Sequence, residues 1–123
     1  MRVNISKIFS EGRVLEMETR ALQSALIRLG GEVKANRGNR DIFLSYLSLK
    51  ADISSRCARL MGIKEEISHI IGCIDDPICR TLLTYRYISG ETMEKTAELM
   101  DYDERHIYRT HKKALKLAEK VAQ

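Results

Sequence analysis

The chain has 123 residues, 44% hydrophobic and 31% charged, with a net charge of +4, three cysteines, one proline and no tryptophan. That is enough apolar residue for one folded domain, or a small domain with an arm, and the lack of β-branched alternation points to an all-α chain. No run approaches the roughly 18 apolar residues of a membrane span, the start MRVNISKIFSEGR lacks the apolar stretch of a secretory leader, and an odd cysteine count without C-x-x-C spacing fits a reduced, cytosolic protein.

Residues 4–29 read as the first helix. Ile8, Leu15, Leu22 and Leu29 recur every seven residues, with Ile5, Ala25 and Leu26 alongside. Gly30 and Gly31 are expected to stop it, and Asn36-Arg37-Gly38-Asn39 to form a flexible loop. Residues 42–75 are the clearest periodic segment. Tyr46, Leu49, Ile53, Leu60, Ile63, Ile67, Ile70 and Ile74 keep three-four spacing, with Arg56 or Cys57 filling the gap. The two helices form an antiparallel hairpin whose seams pack on each other, or one half of a coiled-coil homodimer. Asp76 caps the next helix and Pro77 suits its first turn. Cys57 and Cys73 lie near the seam and are expected as buried structural thiols.

Thr92 to Leu117, TMEKTAELMDYDERHIYRTHKKALKL, reads as two helices and a tight turn. Thr92 caps the first, with Glu94 in its first turn and Met93, Ala97 and Met100 on its apolar face, Leu99 beside them. Asp101 sits where the chain must turn and tolerates left-handed geometry better than most residues. Asp103 caps the second helix. There Ile107, Thr110 or His111, Ala114, Leu115, Leu117 and Ala118 make a buried stripe. The opposite face carries Arg105, Arg109, Lys112, Lys113, Lys116 and Lys120. Residues 105–120 hold six Lys/Arg against one acid, a net +5, whereas residues 41–76 hold four against six. A basic helix beside a near-neutral remainder is the electrostatic footprint of a nucleic-acid partner.

These residues resemble the region 4 helix-turn-helix of bacterial sigma factors, whose pattern runs Thr-x-Glu-Glu-apolar-Ala/Gly, a turn, then a basic helix ending Lys/Arg-Ala-Leu. Here it reads Thr92, Glu94, Ala97, Asp101–Asp103, Arg105, Ile107, Arg109 and Lys113-Ala114-Leu115. The lead-in Asp76-Pro77, Arg80, Leu82-Leu83, Arg86-Tyr87-Ile88 and Gly90 is similar to ArpU-like phage and prophage late-transcription regulators. The resemblance covers about 50 residues. It implies base-edge contacts from Glu104, Arg105 and Arg109, and phosphate-side caps at Thr92 and Asp103. It also implies contacts to phosphates or activator proteins from His106, Tyr108, Lys113 and Lys116. Lys112 joins this face by its position on the helix. Lys95 stands where the pattern has its second Glu, and Thr96 and Thr110 occupy positions that are apolar in the family. Both threonines are expected to bond back within their helices. Arg can donate bidentately to guanine and Glu can accept from cytosine, while the later lysines add salt-dependent affinity.

Nothing points to catalysis, a cofactor or a metal. His69, His106 and His111 are scattered, and His106 and His111 are five residues apart rather than four. No Gly-rich phosphate loop, G-x-S-x-G or H-E-x-x-H occurs. The expected protein is therefore all-α, with a helical hairpin or dimerisation arm over 1–76 and a sigma region 4-like helix-turn-helix over 77–123. Its expected function is sequence-specific regulation of phage or prophage late genes in the cytoplasm of a bacterial host. The expected partner is double-stranded DNA, with host RNA polymerase and a second copy of the chain as further candidates and no membrane. The alternatives are a DNA-packaging or terminase-associated protein that binds a packaging site, and a coiled-coil interaction module that binds no DNA.

Overall fold

The computed structural model describes residues 4–122, and the chain is all-α, with no strand among the described residues. Two long helices come first, α1 (Ile5–Ala35) and α2 (Arg40–Gly72). Three shorter ones follow, α3 (Pro77–Leu83), α4 (Met93–Met100) and α5 (Glu104–Val121). The backbone of α3 runs on into a wider turn over Thr84–Ile88, where Ser89 N–H reaches back five residues to Thr84 O at 2.9 Å. No described helix is long and apolar enough to cross a membrane.

Gly30 and Gly31 do not end α1, which continues to Ala35. Each glycine costs about 1 kcal/mol relative to alanine in a helix interior, but Gly30 faces the Tyr46 ring, 3.6 Å from where a Cβ would sit. Half-buried Leu29 and Val33 carry the seam past the pair. The stop comes at Asn36–Gly38, where Gly38 takes φ +93° and Asn39 N–H bonds Asn36 O at 3.0 Å. At its other end α2 finishes at Gly72 rather than running to residue 75, with Cys73 and Ile74 held by three-residue bonds to Ile70 and Ile71. Cys73 is exposed and Cys57 half-buried, contrary to the sequence expectation; Cys79 is the buried thiol. Cys73 lies just past the last turn of α2, outside the seam, which continues instead through buried Ile67, Ile71 and Ile74.

The chain divides into two compact units: residues 14–61, and residues 4–13 together with 62–122. In the first, α1 and α2 run antiparallel. Tyr46 lies beside Gly30, and Arg56 bonds Glu18 at 2.8 Å and Asp52 at 3.3 Å. Ile53 and Leu15 are buried there.

The second unit holds the main core. Ile5 and Phe9 from the start of α1, Ile67, Ile71 and Ile74, and Cys79, Leu82 and Leu83 form one buried cluster. Met93, Ala97, Ile107, Ala114 and Ala118 of the last two helices complete it. Gly12 is buried because the chains approach closely: a Cβ there would lie 3.0 Å from Ile63 Cγ2 and 3.2 Å from Ile67 Cδ1. The C-terminal helices thus share their core with the first turns of α1. Phe9 is 1% exposed and its ring centroid lies 4.7 Å from that of Tyr87, a favourable tilted aromatic pair. Phe9→Ala should therefore cost about 3–5 kcal/mol and loosen the C-terminal helices, measured by urea unfolding followed through tyrosine fluorescence. An unchanged midpoint would show that the C-terminal helices are stable without α1.

Candidate nucleic-acid interface

The segment entering α4 is held by three cations. Arg13 donates to Gly90 O at 2.5 Å, Lys64 to Ile88 O at 2.8 Å and Arg86 to Glu91 O at 3.0 Å. Gly90 is buried with φ +76°, a conformation that side chains resist. Arg13 and Lys64 carry no signal in the sequence that separates them from surface charges, and Arg86 enters there only as part of the lead-in motif, without a role.

From this anchored entry, Thr92 caps α4 and accepts from Lys95 N–H at 3.0 Å. Thr96 is fully buried yet satisfied, its hydroxyl donating to Thr92 O at 2.8 Å. Thr110 bonds back to His106 O at 2.9 Å in the same way. Met93 and Ala97 are buried and Met100 half-buried, whereas Leu99 stays 45% exposed. The helix ends on Asp101 at φ 58°, ψ 44°. Tyr102 N–H bonds Ala97 O at 2.8 Å and Asp101 N–H bonds Glu98 O at 3.2 Å, the paired bonds of a left-handed C-terminal cap. Asp103 then caps α5, accepting from His106 N–H at 2.7 Å. The two helices are joined by three residues, each with a defined backbone role.

Ile107, Ala114 and Ala118 turn α5 inward. Arg105, Arg109, Lys112, Lys116 and Lys120 are all exposed. At about 100° per residue their stripe is centred roughly opposite the buried one. Other expected contact residues lie to the sides. Glu104 and Tyr108 line a groove with Met93, Glu94, Ala97 and Glu98 of α4. His106 stacks on Tyr102, with ring centroids 4.0 Å apart and planes 11° from parallel. Lys113 reaches Asp76 at 3.2 Å, so it fastens α5 to the start of α3. Asp76 also accepts from Ile78 N–H at 3.0 Å and Cys79 N–H at 3.2 Å. The Cys79 amide, then Lys113, hold its carboxyl below the usual range, and Asp76 in turn raises Lys113. Thr92 is exposed at the head of α4. The fold thus brings Arg105, Arg109, Lys112 and Lys116 onto one face of α5, with Glu104, His106, Tyr108 and Lys113 on the flanks of the same helix; Thr92 is not brought against that face by any contact among the described residues. Among the described residues, no group of three His, Cys, Asp or Glu side chains is placed to hold a metal ion.

The family described as "Protein of unknown function (DUF1492)" matches residues 24–119. The chain belongs to this family. No curated protein and no solved structure matches it.

Two outcomes follow from the geometry. Asp101→Gly should raise stability by about 1 kcal/mol, since a Cβ disfavours left-handed backbone; thermal unfolding of the two proteins would check it, and a lower midpoint would mean the carboxylate is needed at the turn. His111 Nε2 lies 2.7 Å from Tyr87 Oη, and burial first, then Arg86, hold its pKa below the ordinary 6.5. Below pH 6.5 the unfolded chain therefore takes up a proton that folded His111 resists. Stability should be fully present above that pH and decline as pH falls below it towards 5. In His111→Gln that decline should flatten, as followed by urea unfolding across the range.

Proposed function

We propose that this protein is a sequence-specific DNA-binding regulator that lays α5 in the major groove. The observation that carries the reading is the exposed cationic stripe of Arg105, Arg109, Lys112, Lys116 and Lys120 on the second of two capped helices joined by a three-residue turn. Such a helix reaches base edges through its first turns and phosphates through the rest. Arg105 and Arg109 stand in the first turns and suit guanine edges, each correct pair contributing roughly 1–3 kcal/mol of discrimination. Lys112, Lys116 and Lys120 suit phosphates. Thr92, at the head of α4, suits a phosphate on the groove rim. Glu104, His106 and Tyr108 flank the reading face, where they would tune its register.

The resemblance of Thr92–Leu117 to sigma factor region 4, and of the lead-in to ArpU-like regulators, favours promoter DNA in a phage or prophage, within the bacterial cytoplasm. Host RNA polymerase is the partner that this resemblance implies. A packaging-site protein would share the same face and differ in the sequence it selects. An interaction module without DNA would show neither selection nor a steep salt dependence.

The test is selection of bound sequences from a random duplex pool at low and physiological salt, and a recovered motif is expected. Arg105→Ala and Arg109→Ala should then relax preference at single positions. Lys116→Ala should weaken all duplexes alike and make the salt slope shallower by about one. Equal losses on selected and random DNA for both arginine variants would reject base reading. No binding at either salt would reject the proposal as a whole.

A further inference from the structure

Helix α2 carries a second three-four series. Leu44, Leu47, Ala51, Ser54, Ala58 and Met61 are exposed, with Leu44 at 48%, Leu47 at 43% and Met61 at 66%. At about 100° per residue this series is centred roughly 140° from Tyr46, Leu49, Ile53 and Leu60, which face α1. The apolar seam first expected to serve a dimer is therefore occupied within the chain, and a different face of the same helix is left uncovered. No charged residue belongs to the series from Leu44 to Met61. The next positions in the same spacing are Arg40, four residues before Leu44, and Glu65, four after Met61, and both are exposed.

We propose that this face of α2 is a homodimer interface, on which a second copy lies antiparallel about a two-fold axis between Asp52 and Ile53. The face supplies its own complement. In that register Leu44 meets the partner's Met61, Leu47 meets the partner's Ala58, and Ala51 meets the partner's Ser54. Arg40 comes to the partner's Glu65, and the two-fold repeats the pair at the other end. A parallel arrangement would set Arg40 on the partner's Arg40 and Glu65 on the partner's Glu65, so charge selects the antiparallel one. Small side chains at the centre let the two helix axes approach closely, while Leu44, Leu47 and Met61 supply apolar area towards both ends. The series with its terminal charges spans about 37 Å of helix at 1.5 Å per residue. The interface is independent of what α5 binds.

Sedimentation equilibrium of the full chain, at micromolar concentration and physiological salt, tests the inference. The wild type should be a dimer. Leu47→Glu and Ala51→Glu should each give a monomer with unchanged far-ultraviolet circular dichroism, because both positions are exposed in the folded chain. Arg40→Glu and Glu65→Arg should each weaken the dimer roughly three- to tenfold, and the double exchange should restore it. A monomeric wild type would overturn the proposal. So would a dimer that survives both glutamate substitutions, or a double exchange weaker than either single one.

Discussion

The geometry of the C-terminal helices depends on how the backbone between α3 and α4 is held. The carbonyls of Ile88, Gly90 and Glu91 lie where the chain leaves one helix and has not entered the next, and they need donors. Arg13, Lys64 and Arg86 supply them at 2.5, 2.8 and 3.0 Å. The three donors come from α1, α2 and the turn after α3, so one short segment ties together parts distant in sequence. Hydrogen bonds from charged donors to partly buried carbonyls are worth more than neutral ones. The widened turn at Thr84–Ile88 adds a residue's worth of backbone that redirects the chain towards Gly90, whose positive φ completes the change of direction. Once that segment is fixed, Thr92 begins α4 at a defined point, and the Asp101–Asp103 turn fixes α5 in turn.

A second constraint is the division of labour around α5. Its inward face uses the small residues Ala114 and Ala118 beside Ile107, which lets it sit close on the core formed by α1, α2 and α3. Its flanks differ from that face: Lys113 bonds Asp76 on one side, and exposed Glu104 and Tyr108 line the groove beside α4 on the other. The central stripe of cations, by contrast, is exposed along its length. A surface cation that fastens a fold and one that is offered outward look alike in a sequence. Only their neighbours separate Lys113 from Lys112.

Local signals in the sequence were read well where the physics is local. The caps at Asp76, Thr92 and Asp103, the left-handed Asp101 and the back-bonded Thr96 and Thr110 each involve residues within five positions of one another. The inward stripe of α5 was legible for the same reason. Three features were not. The glycine pair at 30–31 has the composition of a helix stop, but tertiary packing of Tyr46 and Val33 carries the helix past it. Cys73 looked like a seam residue because helix periodicity was extended past the point where the backbone leaves it. The joining of Ile5 and Phe9 to the C-terminal core spans more than sixty residues of sequence, and the apolar repeat of α1 is compatible with any partner helix. Long-range pairing of this kind leaves no trace in spacing alone.

The start of α5 shows how two opposed demands are met on one helix. A helix N-terminus favours acids, which cap its orphan amides and meet the positive end of its dipole, whereas a phosphate-facing surface favours cations. Asp103 and Glu104 take the first two places and Arg105 begins the cationic stripe immediately after them. On the proposed reading, the acids lie where the helix enters the groove, near base edges rather than along the phosphate rails. There repulsion from the phosphate backbone is smallest. The cations then run down the later turns, where the helix crosses the phosphates and where the negative end of the dipole also favours them. The same order of charge along α5 that stabilises an isolated helix is thus the order that a groove-lying helix needs. Stability alone accounts for acids first and bases last. It does not account for five cations aligned on one exposed face, an alignment that suits a groove-lying helix more specifically than net charge does.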